Sequence, residues 1–191
     1  MKKLLLQTIL VALISTGFAI STVEAQSPVS FGIKGGVNFA NLNDVSGDPD
    51  SRTGLLLGAY LQLDLPGAPF TIQPEVLYSQ KGAESTGGDL ELDYLEIPVL
   101  AKLGFTTPGP VKPHILAGPY LGFVLNAESG GVDVSDQTQT DFGGVLGVGT
   151  DINLPGPSLT VDLRYGFGFT DIFENASGKN GIFSIAAGIG F

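Results

Sequence analysis

Six charged residues occupy segments whose side chains alternate between polar and apolar: Lys34, Glu75, Glu96, Lys102, Asp162 and Arg164. Two carboxylates set near a guanidinium can share acid and base work, or hand protons along a relay. The same residues can instead form a structural ion-pair network, because an enclosed charge without a partner costs several kcal/mol. The network is the plainer reading, since no substrate-sized entrance accompanies them. His114 is the only histidine, and no GxSxG motif supplies it with a nucleophile. A structural hydrogen bond is what such a histidine is expected to make. Cysteine is absent, so neither a thiolate zinc site nor a disulfide framework exists. No cofactor and no resident metal are expected. Further carboxylates gather at Asp44, Asp48 and Asp50, at Glu84, Asp89, Glu91 and Asp93, at Glu128, Asp133 and Asp136, and at Asp171 and Glu174. They could hold divalent cations that bridge to lipopolysaccharide phosphates. Asp44 to Asp50 lacks the EF-hand spacing and its terminal glutamate, however, and solvated loops are the simpler account.

The N-terminus has the form of an export signal. Met1, Lys2 and Lys3 precede an apolar run from Leu4 to Ile20, and Val23-Glu24-Ala25 offers small or branched residues where a signal peptidase reads. The run falls short of the ~20 residues that a membrane-spanning helix needs. Cleavage after Ala25 is expected, with residues 1–25 a signal peptide and residues 26–191 one domain. Loss of Lys2, Lys3 and Glu24 leaves seven of nine basic and eighteen of nineteen acidic residues, a formal charge of −11. That balance argues against nucleic acid as a partner. Yet 43% of the chain is hydrophobic, too much for a disordered acidic polymer. Beyond the signal no stretch of 18 apolar residues remains, so membrane residence would require a barrel.

The charged residues must be positioned by strands. Eight are predicted, at 31–41, 54–64, 70–81, 92–105, 112–126, 141–153, 158–170 and 182–191. Short turns rich in proline and glycine, such as Leu65-Pro66-Gly67-Ala68-Pro69 and Leu154-Pro155-Gly156-Pro157, alternate with longer polar loops. Tight turns at one end and long loops at the other mark an up-and-down outer-membrane barrel, with the turns periplasmic. Each strand has two faces. In 158–170, Leu159, Val161, Leu163, Tyr165, Phe167 and Phe169 oppose Thr160, Asp162, Arg164 and Thr170. A soluble barrel would alternate too, so the aromatic residues decide. Phe31, Phe70, Phe105 and Phe191 fall at the turn end of the apolar face. Phe39, Tyr78, Phe123, Phe142, Phe169 and Phe183 fall at the loop end. Two girdles around an aliphatic band are what the two interfaces of a bilayer select. The opposite face carries the charges, with Glu75, Glu96 and Arg164 near mid-height and Lys34, Lys102 and Asp162 lower. It also carries Gly118, Gly122, Gly143, Gly147, Gly149, Gly166, Gly168, Gly188 and Gly190. These suit tight curvature, the alternative being a vacated pocket on one side of the lumen.

Tyr94-Leu95-Glu96-Ile97-Pro98-Val99-Leu100-Ala101-Lys102 resembles the characteristic strand of the PorT-like outer-membrane barrel family. Lys112-Pro113-His114 through Gly122, Asp162-Leu163-Arg164-Tyr165-Gly166, Gly32 through Asn38, and Gln73-Pro74-Glu75 are similar to further parts of its pattern, in order along the chain. The resemblance implies a small outer-membrane barrel and no particular activity. The final strand steps through Phe183, Ile185, Ala187 and Ile189 to Phe191, which looks like the signal that the barrel-assembly machinery reads.

The expectation is an all-β protein: a closed antiparallel up-and-down transmembrane β-barrel of about eight strands, monomeric, in the outer membrane. Its expected partners are the lipid bilayer, lipopolysaccharide and the assembly machinery. A non-enzymatic structural or interaction role through the acidic loops is favoured over a narrow channel or transporter, because an eight-stranded lumen is normally filled by side chains. A closed barrel resists unfolding by detergent. The refolded protein should therefore migrate differently on unheated and boiled SDS gels; identical mobility, with recovery in the soluble periplasmic fraction, would exclude the membrane assignment.

Overall fold

The structure, a computed structural model, describes residues 29–42, 50–84, 90–129, 132–133, 140–169 and 180–191. The expected signal peptide lies outside the described residues. The alternating segments form β1 (Val29–Leu42), β2 (Asp50–Asp64), β3 (Phe70–Glu84), β4 (Leu90–Gly104), β5 (Val111–Ser129), β6 (Val132–Asp133), β7 (Asp141–Asn153), β8 (Ser158–Gly168) and β9 (Asn180–Gly190). They pair antiparallel in the order β4-β3-β2-β1-β9-β8-β7-β5, and β4 pairs with β5 to close the ring. Eight long strands thus make a barrel. The two-residue β6 folds back onto Glu128 and Ser129.

The turns explain themselves locally. Gly67, Gly109 and Gly156 have φ of 81°, 97° and 109°, and each follows a proline. Proline presets the first central residue of a type II turn and glycine supplies the positive φ of the second. The Ala68 N–H donates to the Leu65 carbonyl at 3.0 Å, closing the first of them.

The alternation sorts side chains cleanly between two environments. Leu163 is 42% exposed on the outer wall, whereas Arg164, the next residue, is 4% exposed inside. Ile33, Leu55, Leu57, Leu146 and Val148 join Leu163 in an exposed aliphatic belt. Rings flank the belt at both ends. Phe31 meets Phe191 at 5.8 Å on the turn side; Phe39 meets Phe183 at 6.5 Å and Phe142 meets Phe169 at 5.6 Å on the loop side. The seam between β1 and β9 is completed by reciprocal backbone bonds between Phe31 and Phe191.

Strand limits differ from the sequence-based ones at the loop end. β2 begins at Asp50 rather than 54, β3 runs to Glu84, β4 starts at Leu90, and β5 continues to Ser129. Side-chain alternation is imposed by lipid and fades where lipid ends, but the backbone ladder needs no apolar face and continues above it. β8 ends earlier, at Gly168, with the Phe169 N–H bonded to the Phe142 carbonyl.

A charge on the lipid face near mid-depth costs ~2–4 kcal/mol. Leu163→Lys should accordingly impair assembly far more than Thr160→Ser, an inward polar exchange, when folded yield in bilayers is compared. Equal tolerance would mean that β8 is turned over by one residue.

Candidate functional site

The candidate site is the lumen, and its centre is a carboxylate with no contact to solvent. Glu75 projects inward from β3 and its side chain is fully buried. Arg164, from β8, donates Nη1 to Glu75 Oε2 at 2.6 Å and Nη2 to Oε1 at 2.8 Å. Such a bidentate pair fixes both planes, which a lysine could not do. Lys34 Nζ, from β1, donates to the same Oε1 at 2.9 Å and to Asp162 Oδ2 at 2.7 Å. Arg164 Nη2 also reaches Asp162 Oδ2, at 2.8 Å. Two cations and two carboxylates therefore form a closed quartet across the barrel. Gln73 Nε2 adds a bond to Glu75 Oε1 at 2.6 Å.

The quartet extends toward the turn end. His114 Nε2 donates to Asp162 Oδ1 at 2.9 Å, and its Nδ1 lies 3.4 Å from Asp151 Oδ2. Lys102 Nζ donates to Asp151 Oδ1 at 2.7 Å. Tyr60 lies beneath Lys34, with its ring centroid 5.1 Å from Nζ. Glycine makes the inward packing possible. A Cβ on Gly149 would stand 2.5 Å from both Asp162 Oδ1 and His114 Nε2. One on Gly143 would stand 2.4 Å from the ring of Tyr120. The space those glycines vacate is occupied by neighbouring side chains rather than left as a pocket.

A second layer lies nearer the loops. Lys81 forms an ion pair with Glu96, and its Nζ stands 4.6 Å from the Tyr94 ring centroid and 5.2 Å from that of Tyr120. The Tyr120 hydroxyl donates to Asp141 Oδ2 at 2.9 Å. Asn38, Ser79 and Ser184 form a hydrogen-bonded chain between the layers.

Of the six charges read from sequence, the structure brings Lys34, Glu75, Asp162 and Arg164 into contact. Lys102 joins them only through Asp151 and His114. Glu96 stands apart. The expectation that Glu96 shares mid-height with Glu75 and Arg164 is corrected by the register: Glu96 pairs with Leu77, two residues farther up β3, and Lys81 neutralises it there. Asp151, Gln73, Tyr60, Tyr94, Tyr120 and Asp141 were missed as site residues. Asp151 shares inward parity with Gly147 and Gly149 on β7, a signal that was present. Its partners, however, come from β5 and β4. Among the described residues no cluster of three or more histidine, cysteine or carboxylate side chains could hold a metal ion.

An antiparallel barrel with an aliphatic belt outside and a charged, side-chain-filled lumen is the architecture of a small integral outer-membrane protein. The chain belongs to the outer membrane protein beta-barrel domain family, which residues 24–174 match. No curated protein matches the sequence. Among solved structures it is similar to Neisserial surface protein A (19% identity over 88% of this chain and all of that one, TM-score 0.61). It is also similar to a major outer membrane protein from Thermus thermophilus (14% identity, 85% and 99% covered, TM-score 0.52). The outer membrane enzyme PagL is similar as well (13% identity, 84% and 97% covered, TM-score 0.50). At such identities the likeness concerns the fold alone.

Arg164→Ala would leave Lys34 alone against two buried carboxylates. Stability should fall by about 3–5 kcal/mol, the cost of breaking a buried pair. Adding Glu75→Gln should recover part of the loss, because the excess charge is gone. Adding Glu96→Gln should recover none, since Glu96 answers to Lys81. Urea unfolding of the three variants gives the test; rescue by Glu96→Gln would overturn the two-layer assignment.

Proposed function

We propose that the protein is a PorT-like, non-enzymatic barrel that does not conduct and acts through its loop end, as a structural or interaction protein of the outer membrane. The observation carrying this reading is the quartet of Lys34, Glu75, Asp162 and Arg164, which spans the lumen and leaves its centre occupied. A barrel blocked in this way has its loops and outer wall left for work. The PorT-like assignment rests on the Tyr94–Lys102 strand and the accompanying motifs. The acidic loop residues suit solvated surfaces, with divalent cations between them and lipopolysaccharide as one means of contact. Phe191 and Ile189, at the end of β9, suit recognition by the assembly machinery, and a monomer is the form expected. Both ring nitrogens of His114 face carboxylates, Asp162 at 2.9 Å and Asp151 at 3.4 Å, which favours a positioning role over nucleophile activation.

A narrow channel is the second reading. What favours it is a chamber of about 40 Å³ between the two layers, touched by Lys81, Glu96 and Arg164. That volume has room for water, for which about 10–15 Å³ is enough, and is far too small for a solute. Planar-bilayer recordings separate the readings. The refolded protein should show no discrete conductance, and Arg164→Ala should lose stability before it gains current. Steady unitary currents from the unaltered chain, changed by Arg164→Ala at unchanged stability, would establish the channel instead.

A further inference from the structure

The outer wall of the barrel is not uniformly convex. Across β4, β5, β7, β8 and β9 it carries a shallow, open apolar concavity of about 530 Å³. Strand register explains its shape. Ala101 pairs with Ala117, Ala117 with Leu146, Leu146 with Tyr165, and Tyr165 with Phe183, so these outward side chains form one row across five strands. A second row, two residues nearer the turns, holds Leu103, Ile115, Val148 and Leu163. The first row is only methyl-high over β4 and β5 and rises to aromatic rings over β8 and β9. Leu116, Gly147 and Arg164 lie between the rows and form the floor, the two side chains being directed into the lumen. The result is a trough running across the strands.

Its direction follows from the same pairings. Ala101 lies near the turn end of β4, whereas Phe183 lies near the loop end of β9. The trough therefore climbs obliquely toward the loop-side interface. Four inter-strand steps of about 4.8 Å make it roughly 19 Å long, somewhat more than half of the ~30 Å hydrocarbon thickness. An oblique path through one leaflet has that length.

We propose that this trough seats one acyl chain of a lipid in the outer leaflet, held against the wall with Tyr165 and Phe183 at its mouth. The trough is continuous with the aliphatic belt that faces the bilayer, so hydrocarbon is the solvent that fills it. Its mouth joins a run of rings in which Phe142 meets Phe169 at 5.6 Å, Phe169 meets Phe167 at 5.3 Å, and Phe167 meets Tyr165 at 6.4 Å. Aromatic rings gather at the headgroup level, which is where the headgroup end of an outer-leaflet chain would lie. A second barrel fits less well, because its convex wall would meet the trough only along a line.

The test uses the refolded full chain in vesicles of phosphatidylethanolamine carrying a photoactivatable diazirine on its acyl chain. After illumination, adducts are located by peptide mass spectrometry. Adducts should concentrate at Ala117, Leu146 and Val148, several-fold above the outward positions Leu57 and Val76 on the opposite wall. Ala117→Phe should lower the trough adducts several-fold and leave those at Leu57 unchanged. Ala101→Leu, a gentler filling, should act in the same direction if the heated and unheated mobilities of Ala117→Phe reveal a folding defect. Even labelling around the belt, or trough labelling indifferent to both substitutions, would overturn the proposal. The chain has no cysteine, so Ala117→Cys adds a direct check on the rival occupant. A disulfide-linked dimer formed in the bilayer would mean that a second copy, and not a lipid chain, covers the trough.

Discussion

Hydrocarbon offers no hydrogen bonds to a strand edge, so the backbone ladder of a membrane-spanning sheet must end where it began. That closure governs everything else in this molecule. Eight strands closing on themselves leave an interior only as wide as the side chains that fill it. Charges admitted to such an interior lose their water and must find one another. Arg164 meets that demand by sharing its planar fork between Glu75 and Asp162 while Lys34 bridges the same two carboxylates. Replacing such a network with apolar residues is often neutral or stabilising in soluble proteins. The network is therefore better understood as filling the lumen and positioning strands than as a source of stability.

The two charge layers divide that labour. The lower one ties β1, β3 and β8 together through the quartet and reaches β4, β5 and β7 through Lys102, His114 and Asp151. The upper one uses Lys81 between two tyrosine rings, a cation on aromatic faces, with Glu96 beside it. Neither layer has the arrangement of an acid–base pair facing a substrate space. The similarity to PagL shows that this scaffold can host an enzyme. A shared barrel says nothing about chemistry, which resides in the side chains grafted onto it.

Much of the fold is legible in the sequence because lipid imposes a period of two with little tolerance. Leu163 and Arg164 are adjacent in the chain and lie in opposite environments, so each strand declares its facing. Prolines ahead of Gly67, Gly109 and Gly156 declare the turns just as plainly. What cannot be read is which inward residue meets which. Strand stagger decides that, and it placed Glu96 beside Lys81 instead of Glu75, and Asp151 between Lys102 and His114. The upper reaches of β2 to β5 were equally hidden, because backbone pairing there proceeds without apolar alternation.

The bonds between Phe31 and Phe191 have a consequence for how the barrel comes into being. Every other long-strand pairing joins neighbours along the chain, contacts of low order that can form as local hairpins. The β1–β9 seam alone joins the two ends of the barrel sequence, and its loop-closure entropy must be met in a single step. Until the last strand arrives, the growing sheet has two open edges that can pair with a foreign strand. The seam is thus the pairing whose closure is entropically most costly, and the one that removes both open edges at once.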